Sequence, residues 1–311
     1  DFVYDQTVSL AEILSTKITA AYLNKSGLNT SWVDARKMVK TDNMHRQAMV
    51  DWGATQAMIK SQVGPLLDNS IVLTQGFIGS NAKYNTTTLG REGSDFTAAI
   101  FGTSLKATSV AIWKDVPGVL NADPKKFENT KKYPRLPYKE AAEMTYYGAS
   151  VIHPKTIKPL AQHGIPLHVR SFLDMKDEGT VIEECVIPNL NPAIIHKDQQ
   201  TVISFKISDF SFINEHHIHL IFEHIKKLNL TIHLMQNSAI SFTVCIDDNP
   251  KKREQLMNGL NEEFRIYYNE GLEMITVKNY DQKTVDELVK NKQVIIEQRS
   301  RNNFQIVYKN Q

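Results

Sequence analysis

The sequence predicts two architectures in one chain: an α/β part over residues 1–187 and an α+β part over residues 188–311. In the first part, strand-like apolar runs alternate with helical periodicity, which is typical of a mainly parallel sheet with helices on both faces. Residues 187–192 contain two prolines and two asparagines, which indicates a linker. After it, short β-branched strands form two strand–helix–strand–strand rounds, typical of ferredoxin-like units, with the second round abbreviated.

The elements of the α/β part follow from periodicity and from turn residues. Helices are predicted over residues 7–25, 43–62, 95–105, 138–147 and 155–163, and strands over residues 31–33, 70–76, 109–113 and 166–170. In the α+β part, helices are predicted over residues 214–228, 250–259 and 281–290, and strands over residues 201–207, 230–235, 238–246, 272–278, 293–298 and 304–308.

The bulk composition excludes several classes of protein. The net charge of +2 gives no basic field for nucleic acid, and no run of about 18 apolar residues predicts a membrane span. Cys185 and Cys245 lie far apart in apolar runs, so we expect buried thiols in the reducing cytoplasm. No signal peptide is visible, and the start at Asp1 predicts a truncated chain.

A threonine- and glycine-containing loop, Thr-Thr-Thr-Leu-Gly-Arg-Glu-Gly-Ser-Asp at residues 86–95, is the strongest candidate site. Its two glycines let a ligand approach the backbone. Arg91 between them offers a planar fork for a carboxylate or phosphate. Ser94 is the expected N-cap of the following helix, and Asp95 suits the positive end of its dipole. The loop therefore predicts an anion-binding site; an ordinary strand–helix connection is the alternative.

Other motifs accompany this loop in a fixed order: Thr-Gln-Gly-Phe-Ile-Gly at 74–79, Trp-Lys-Asp-Val-Pro-Gly at 113–118, Ala-Asp-Pro at 122–124, Ala-Ala-Glu-Met at 141–144 and Gly-Ala-Ser-Val-Ile-His-Pro at 148–154. Over most of residues 5–182, their order and spacing resemble aspartate kinase. The segment at 6–16 is similar to that family's Gly-Glu-x-x-Ser stretch, and the tail resembles its tandem ACT modules. The resemblance implies a carbamate-kinase-like amino-acid-kinase sheet with helices on both faces, followed by ferredoxin-like ACT modules.

The resemblance also implies an activity. Aspartate kinases use ATP and Mg²⁺ to phosphorylate the side-chain carboxylate of L-aspartate, giving 4-phospho-L-aspartate, the first step toward lysine, threonine and methionine. By resemblance, Arg91 binds the α-carboxylate, Glu12 binds the α-ammonium, Ser94 and Asp95 line the pocket, and Thr88 contributes a hydroxyl. A solvated loop arginine and an exposed helix carboxylate are the alternatives for Arg91 and Glu12.

The nucleotide side follows from the same resemblance. Lys114, Asp115, Asp123, Lys125 and Ser150 match positions that contact the nucleotide or its phosphates. Both aspartates could instead be simple turn formers, because aspartate beside proline or glycine favours turns. Lys114 stands where the best-known pattern has threonine, and Ser150 where it has lysine.

The tail implies a homodimer through ACT modules, with lysine or threonine as a candidate effector. His233 stands where lysine-sensitive relatives carry a carboxylate, and Ser238 matches a further effector position. The scattered histidines and the two cysteines show no metal-like spacing, so no metal site is predicted on protein side chains alone.

One family motif is missing from the chain. The Lys-Phe-Gly-Gly strand–loop that holds the phosphates does not occur, so we expect this chain alone to be inactive as a kinase. Two alternatives stay open: another amino-acid kinase such as glutamate 5-kinase or uridylate kinase, and a non-catalytic regulatory or dimerisation chain. A Lys-Phe-Gly-Gly motif in frame upstream favours a truncated catalytic chain, whereas a start codon there favours the regulatory chain.

Overall fold

The computed structural model describes residues 1–149, 152–207 and 211–310. The chain forms two compact units. Unit 1 comprises Asp1–Leu120 and Lys132–Pro188, and unit 2 comprises Asn121–Lys131 together with the residues from Asn189 onward. The excursion of residues 121–131 into unit 2 is not part of the sequence-based expectation.

Unit 1 is built from alternating helices and strands. In chain order they are α1 (Phe2–Lys25), β1 (Thr30–Trp32), α2 (Ala35–Met38), α3 (Trp52–Gln62), β2 (Ile71–Leu73), β3 (Ile78–Ser80), β4 (Thr86–Thr88), α4 (Gly93–Ser104), β5 (Val110–Lys114), β6 (Arg135–Pro137), α5 (Tyr138–Tyr147), α6 (Pro154–Gln162), β7 (Leu167–Ser171) and β8 (Thr180–Glu183). A four-stranded sheet has the order β5-β7-β8-β6, with β5 parallel to β7 and β6 parallel to β8. Strands β1 and β2 pair in parallel, and β3 and β4 pair antiparallel.

Local sequence explains where the correctly predicted helices end. Helix α5 stops at Gly148, whose φ of 119° is the left-handed conformation that glycine adopts without a side-chain clash. Helix α6 begins with Pro154 in its first turn, and His153 Nδ1 accepts a hydrogen bond from the Lys155 amide. His153 is therefore a helix-capping residue.

The predicted helix over residues 43–62 is wrong in its first half. Helix α3 begins only at Trp52, where the Asp51 side chain accepts from the Ala54 amide. The preceding residues form a loop because the Asp42 carboxylate accepts from the amides of Met44 and Met49. Such side-chain bonds to the backbone compete with helix formation.

The expected N-cap at Ser94 is also wrong. Helix α4 begins two residues earlier than predicted, at Gly93, and Glu92 holds the cap position with a φ of 53° and no side-chain cap bond. Ser94 lies exposed in the first turn. The reason is packing: a Cβ on Gly93 would lie 2.6 Å from the Phe77 Cβ, so the helix start is set by close approach to Phe77.

The helices that support the loop share one apolar core. Met38 ends α2 and Val39 follows it, Ile59 lies in α3 and Val63 directly after it, and Leu89 precedes α4, which contains Ile100; all are buried. Burying a Leu or Ile side chain contributes roughly 1.5–3 kcal/mol. The loop of residues 89–92 is therefore held from below by a packed core.

Unit 2 is one antiparallel sheet with helices. Its elements are β9 (Ala193–Ile207), α7 (Glu215–Lys227), β10 (Ile232–Asn237), β11 (Ser241–Asp247), α8 (Pro250–Leu260), β12 (Phe264–Lys278), α9 (Gln282–Val289), β13 (Lys292–Arg299) and β14 (Asn303–Asn310). The strand order is β10-β11-β9-β12-β14-β13. Strands β9 and β12 are longer than predicted, because each runs through both halves of the sheet and they pair along most of their length.

Two of the bulk expectations can be compared with the structure. Cys245 is a buried free thiol, but Cys185 is only half-buried, because it lies beyond the end of β8. Within the described residues, no helix combines the length and the apolar character needed to span a membrane.

Candidate substrate pocket of unit 1

An open pocket of about 570 Å³ lies beside the threonine- and glycine-containing loop. Its lining brings together residues from α1, the loop after α2, β4 and the loop before α4, among them Tyr4, His45, Arg46, Phe77, Thr88 and Arg91. Two of these, Thr88 and Arg91, were predicted from sequence. The pocket carries two guanidinium groups, so it suits an anionic ligand.

A buried carboxylate holds one wall of this pocket. The Asp5 side chain is fully buried, and it accepts from the Thr88 amide at 3.1 Å and from the Thr88 hydroxyl at 2.8 Å. The Arg46 amide donates to it at 3.1 Å, and His45 Nδ1 lies 2.8 Å away. One carboxylate thus ties α1 to β4 and to the 42–48 loop.

Three residues at or beside the same pocket have a strained backbone. Arg46, Phe77 and Glu92 have φ values of 67°, 51° and 53°, in the left-handed region that residues other than glycine rarely adopt. Gly90 has a φ of 81°, and a Cβ there would lie 3.0 Å from the Arg46 carbonyl oxygen. Such conformations cost of order 1–3 kcal/mol each and cluster at ligand sites.

Hydrogen bonds hold the strained Phe77 in place. Its amide donates to Thr97 Oγ1 at 3.0 Å, and its carbonyl accepts from the Leu89 amide at 2.9 Å. Thr97 Oγ1 also donates to the Gly93 carbonyl at 2.8 Å. The pocket wall is therefore braced by the first turn of α4.

An ion pair lies at the end of β5. Lys114 Nζ is 2.9 Å from Asp95 Oδ2, and both side chains are mostly buried. Lys114 was predicted to contact the nucleotide and Asp95 to line the substrate pocket. The ion pair therefore brings one predicted nucleotide residue and one predicted substrate residue together. The carboxyl end of a parallel strand such as β5 is where α/β sheets bind ligands.

Residues 2–171 match the amino acid kinase family. The chain belongs to this family. Lysine-sensitive aspartokinase 3 of Escherichia coli is 31% identical over 289 residues, which cover 89% of this chain and 63% of that protein. Aspartokinase 3 of Arabidopsis thaliana, a chloroplast protein, is 30% identical over 288 residues, covering 88% of this chain and 49% of its own. The chain thus spans less than two thirds of these curated relatives.

Solved structures agree with this assignment. The R-state crystal structure of E. coli aspartokinase III in complex with aspartate and ADP gives a TM-score of 0.82 at 27% identity, covering 99% of this chain and 72% of that chain. The T-state structure with lysine and aspartate gives 0.79 at 28% identity, covering 98% and 72%. The similarity to aspartokinases and the mixed α/β fold predicted from the motifs are thereby confirmed.

Three of the predicted substrate residues, Glu12, Ser94 and Asp95, do not line the pocket. Glu12 lies on α1 seven residues after Asp5, roughly 10 Å farther along the helix. Its side chain is half-buried, and its backbone oxygen accepts from Thr16 Oγ1.

The predicted nucleotide residues fall in both units. Asp115 is exposed directly after β5. Asp123 and Lys125 belong to unit 2, where Asp123 Oδ1 accepts from the Lys125 amide at 2.9 Å; Asp123 therefore forms a turn, the alternative that the sequence left open. Ser150 lies outside the described residues.

The candidate effector residues of unit 2 already have protein partners. His233 Nε2 lies 2.8 Å from Asp247 Oδ1, and the Ser238 hydroxyl closes the β10–β11 turn against Ser241. Burial acts to lower the pKa of His233, and the neighbouring Asp247 opposes this without cancelling it.

Sequence reasoning missed Asp5, His45 and Arg46. Asp5 is separated from Thr88 by 83 residues, and an aspartate near the start of a helix is ordinarily explained by the helix dipole. The wrongly predicted helix over 43–62 hid the other two. Phe77 stands inside a motif that was recognised, but its left-handed backbone gave no signal in the sequence.

Proposed function

We propose that this chain carries the L-aspartate site of an aspartate kinase (EC 2.7.2.4), which transfers a phosphoryl group from ATP to the side-chain carboxylate and forms 4-phospho-L-aspartate. The observation that carries the proposal is the pocket that joins Arg91, Thr88 and Arg46. The similarity of the chain to an aspartokinase structure with bound aspartate and ADP supports the proposal.

Phosphoryl transfer to a carboxylate depends more on positioning of the reactants than on proton transfer. A side-chain carboxylate is ionised at neutral pH and needs no general base to become a nucleophile. The obstacle is the approach of this anion to a polyanionic triphosphate, so cations and a fixed geometry should dominate catalysis.

The residues divide these tasks. Arg91 clamps the α-carboxylate through its planar fork. Glu12 is proposed for the α-ammonium, and Ser94 for the edge of the pocket. Asp95 holds Lys114 at the end of β5, where the lysine can offset negative charge at the phosphates.

The nucleotide suits the residues at this edge of the sheet. The mostly buried Lys114 offers a cation, and Asp115 is exposed beside it. Asp123, Lys125 and Ser150 remain proposed contacts. Mg²⁺ would be held chiefly by phosphate oxygens and water, as is usual for this ion, and would neutralise phosphate charge.

Calorimetric titration of L-aspartate into the chain tests the aspartate site. We expect Arg91→Ala to weaken binding at least tenfold, because a charge-assisted bond contributes about 1.5–3 kcal/mol. Arg91→Lys should recover part of the loss, since it keeps the charge but not the fork. Arg135→Ala is the matched control, because this exposed arginine of unit 1 pairs with Glu183.

Absence of aspartate binding by the unchanged chain, or equal binding by Arg91→Ala, would overturn the proposal. A coupled ATP assay tests the separate expectation that the chain alone does not turn over. Normal turnover would refute that expectation without harming the aspartate site.

For unit 2 we propose a pair of ACT modules that form a homodimer and bind an amino-acid effector, with lysine and threonine as candidates. Lysine is present in the T-state relative. Where lysine-sensitive relatives have a carboxylate, this chain has His233, whose Nε2 lies 2.8 Å from Asp247 Oδ1. Melting-temperature shifts with each amino acid test this, since a ligand that binds only the folded state raises it. No shift with lysine or threonine would argue for a purely structural pair.

The cytoplasm is the proposed compartment, because both cysteines are free thiols.

A further inference from the structure

The Asp5 carboxylate determines which way one pocket hydroxyl can act. A threonine hydroxyl has a single hydrogen and two acceptor lone pairs. Thr88 Oγ1 donates that hydrogen to Asp5 Oδ1 at 2.8 Å, and Asp5, as a carboxylate, can only accept. Any ligand group that meets Thr88 Oγ1 must therefore be a hydrogen-bond donor.

The arrangement is fixed from several sides. The Thr88 amide donates to the second oxygen of Asp5 at 3.1 Å, so backbone and side chain of Thr88 are held together. Thr88 is also locked in β4 against β3, and its carbonyl accepts from the Ala48 amide at 2.9 Å. If the hydroxyl turned its hydrogen toward the pocket, the buried Asp5 Oδ1 would lose its shorter hydrogen bond and keep only the Arg46 amide, at 3.3 Å, as a donor.

The Asp5 carboxylate also holds the part of the pocket formed by the loop after α2. It accepts from the strained Arg46 amide and from His45 Nδ1. The neighbouring cations, Arg46 and Arg91, suit the carboxylates of a ligand, whereas the Thr88 oxygen suits its donor. The pocket thus combines one hydrogen-bond acceptor with two cationic side chains.

We propose that Asp5 is a positioning residue that turns the Thr88 hydroxyl into an acceptor for the α-ammonium of L-aspartate. This inference rests on the proposed aspartate site and adds a second ammonium partner to Glu12. It predicts that the pocket distinguishes L-aspartate from succinate, which has both carboxylates but no ammonium.

The test compares the dissociation constants of L-aspartate and succinate for the unchanged chain and for Asp5→Asn. The asparagine amide can donate to Thr88 Oγ1, which reverses the hydrogen bond and points the hydroxyl hydrogen at the ligand. We expect L-aspartate binding to fall at least tenfold and succinate binding to change less than twofold. Asp42→Asn is the matched control, because Asp42 orders the same loop through the Met44 and Met49 amides but does not touch Thr88.

Each outcome of this comparison either supports or overturns the inference. An equal loss for both ligands in Asp5→Asn would make Asp5 merely structural and overturn the inference. Equal binding of both ligands by the unchanged chain would overturn it too, while leaving the carboxylate role of Arg91 intact; binding of neither would refute the proposed function itself. If Asp5→Asn does not fold, Thr88→Val removes the hydroxyl at nearly constant shape and should show the same selective loss, and unchanged selectivity there would contradict the proposal.

Discussion

Each unit contains a carboxylate paired with a histidine, but the two pairs have different surroundings. In unit 1, Asp5 is fully buried, and three of its four hydrogen bonds involve Thr88 and the Arg46 amide. In unit 2, the Glu273 side chain keeps 28% of its exposure, and its partners are side chains: His196 at 2.7 Å, Tyr308 at 2.7 Å and Asn310 at 2.5 Å.

The comparison shows two structural roles for a carboxylate paired with histidine: Asp5 shapes a pocket, and Glu273 links the strands of a sheet. Backbone donors fix the path of the chain, so Asp5 shapes the loops that surround a pocket. Side-chain donors from β9 and β14 instead connect Glu273 on β12 to both neighbouring strands, which makes a polar rung across the sheet. Burial acts to raise the pKa of Glu273, but the bonds from Tyr308 and His196 outweigh it and hold the pKa below its ordinary value.

The unit 2 cluster also has the composition of a metal site. His196, Asp198 and Glu273 offer ligand atoms within 4.8 Å of one another. However, Lys126 Nζ already contacts both oxygens of Asp198 at 2.7 and 2.8 Å, and Glu273 is bonded as described. The protein's own donors therefore satisfy these carboxylates.

The largest effect should come from Asp5→Ala. It leaves the buried amide and hydroxyl of Thr88 and the part-buried Arg46 amide without this acceptor, and a buried group left unpaired costs about 1–3 kcal/mol. We expect unit 1 to lose roughly 3 kcal/mol or more, with faster amide exchange in residues 42–48 and 86–92. Hydrogen exchange read by peptide measures this, and Glu273→Ala should change exchange in β9, β12 and β14 instead. Equal, diffuse changes in both variants would remove the distinction between the two carboxylates.

Gly93→Ala tests the bracing of the pocket by α4. The added Cβ would lie 2.6 Å from the Phe77 Cβ, so Phe77 or the helix must shift. Overpacking of this kind costs typically 1–3 kcal/mol. We expect a lower melting temperature and weaker L-aspartate binding, whereas Gly53→Ala in α3, with 3.6 Å to its nearest neighbour, should change neither.

Glu273 predicts an acid dependence of unit 2. Because its folded pKa is lowered from 4.5, it stabilises the fold at pH values above 4.5, and that contribution is lost as pH falls through the folded pKa. Glu273→Gln should cost about 1 kcal/mol at neutral pH and flatten the acid limb of stability against pH. Urea unfolding followed between pH 3 and 7, roughly spanning the carboxylate range, measures this. An unchanged acid limb in the variant would contradict the assignment.

The smallest effect is expected for Ser94→Ala. As an N-cap, Ser94 would contribute about 1 kcal/mol; as an exposed residue of the first turn, it should contribute less than about 0.5 kcal/mol. Thermal unfolding of this variant sets the baseline for unit 1. A loss of 1 kcal/mol or more would restore the N-cap interpretation.

The pocket residues that the sequence could predict are those marked by a short local motif. Thr88 and Arg91 stand in one short motif, and helix α5 ends at a glycine, so neither needed long-range information. Asp5 could not be found, since its role depends on contacts with residues 40 to 83 positions away. The loop after α2 was mistaken for a helix because the bonds that Asp42 makes to backbone amides leave no periodic trace.

The path of the chain between the units has a practical consequence. Residues 121–131 leave unit 1 and return to it, so the chain passes between the units three times before residue 190. A single cut near Pro188 would therefore leave residues 121–131 of unit 2 attached to unit 1. A unit 2 produced from Asn189 onward would also lack the strand-end bond from the Ile194 amide to Asn121 and the ring contact of Phe127 with His196. Unit 2 therefore cannot be excised intact at one junction.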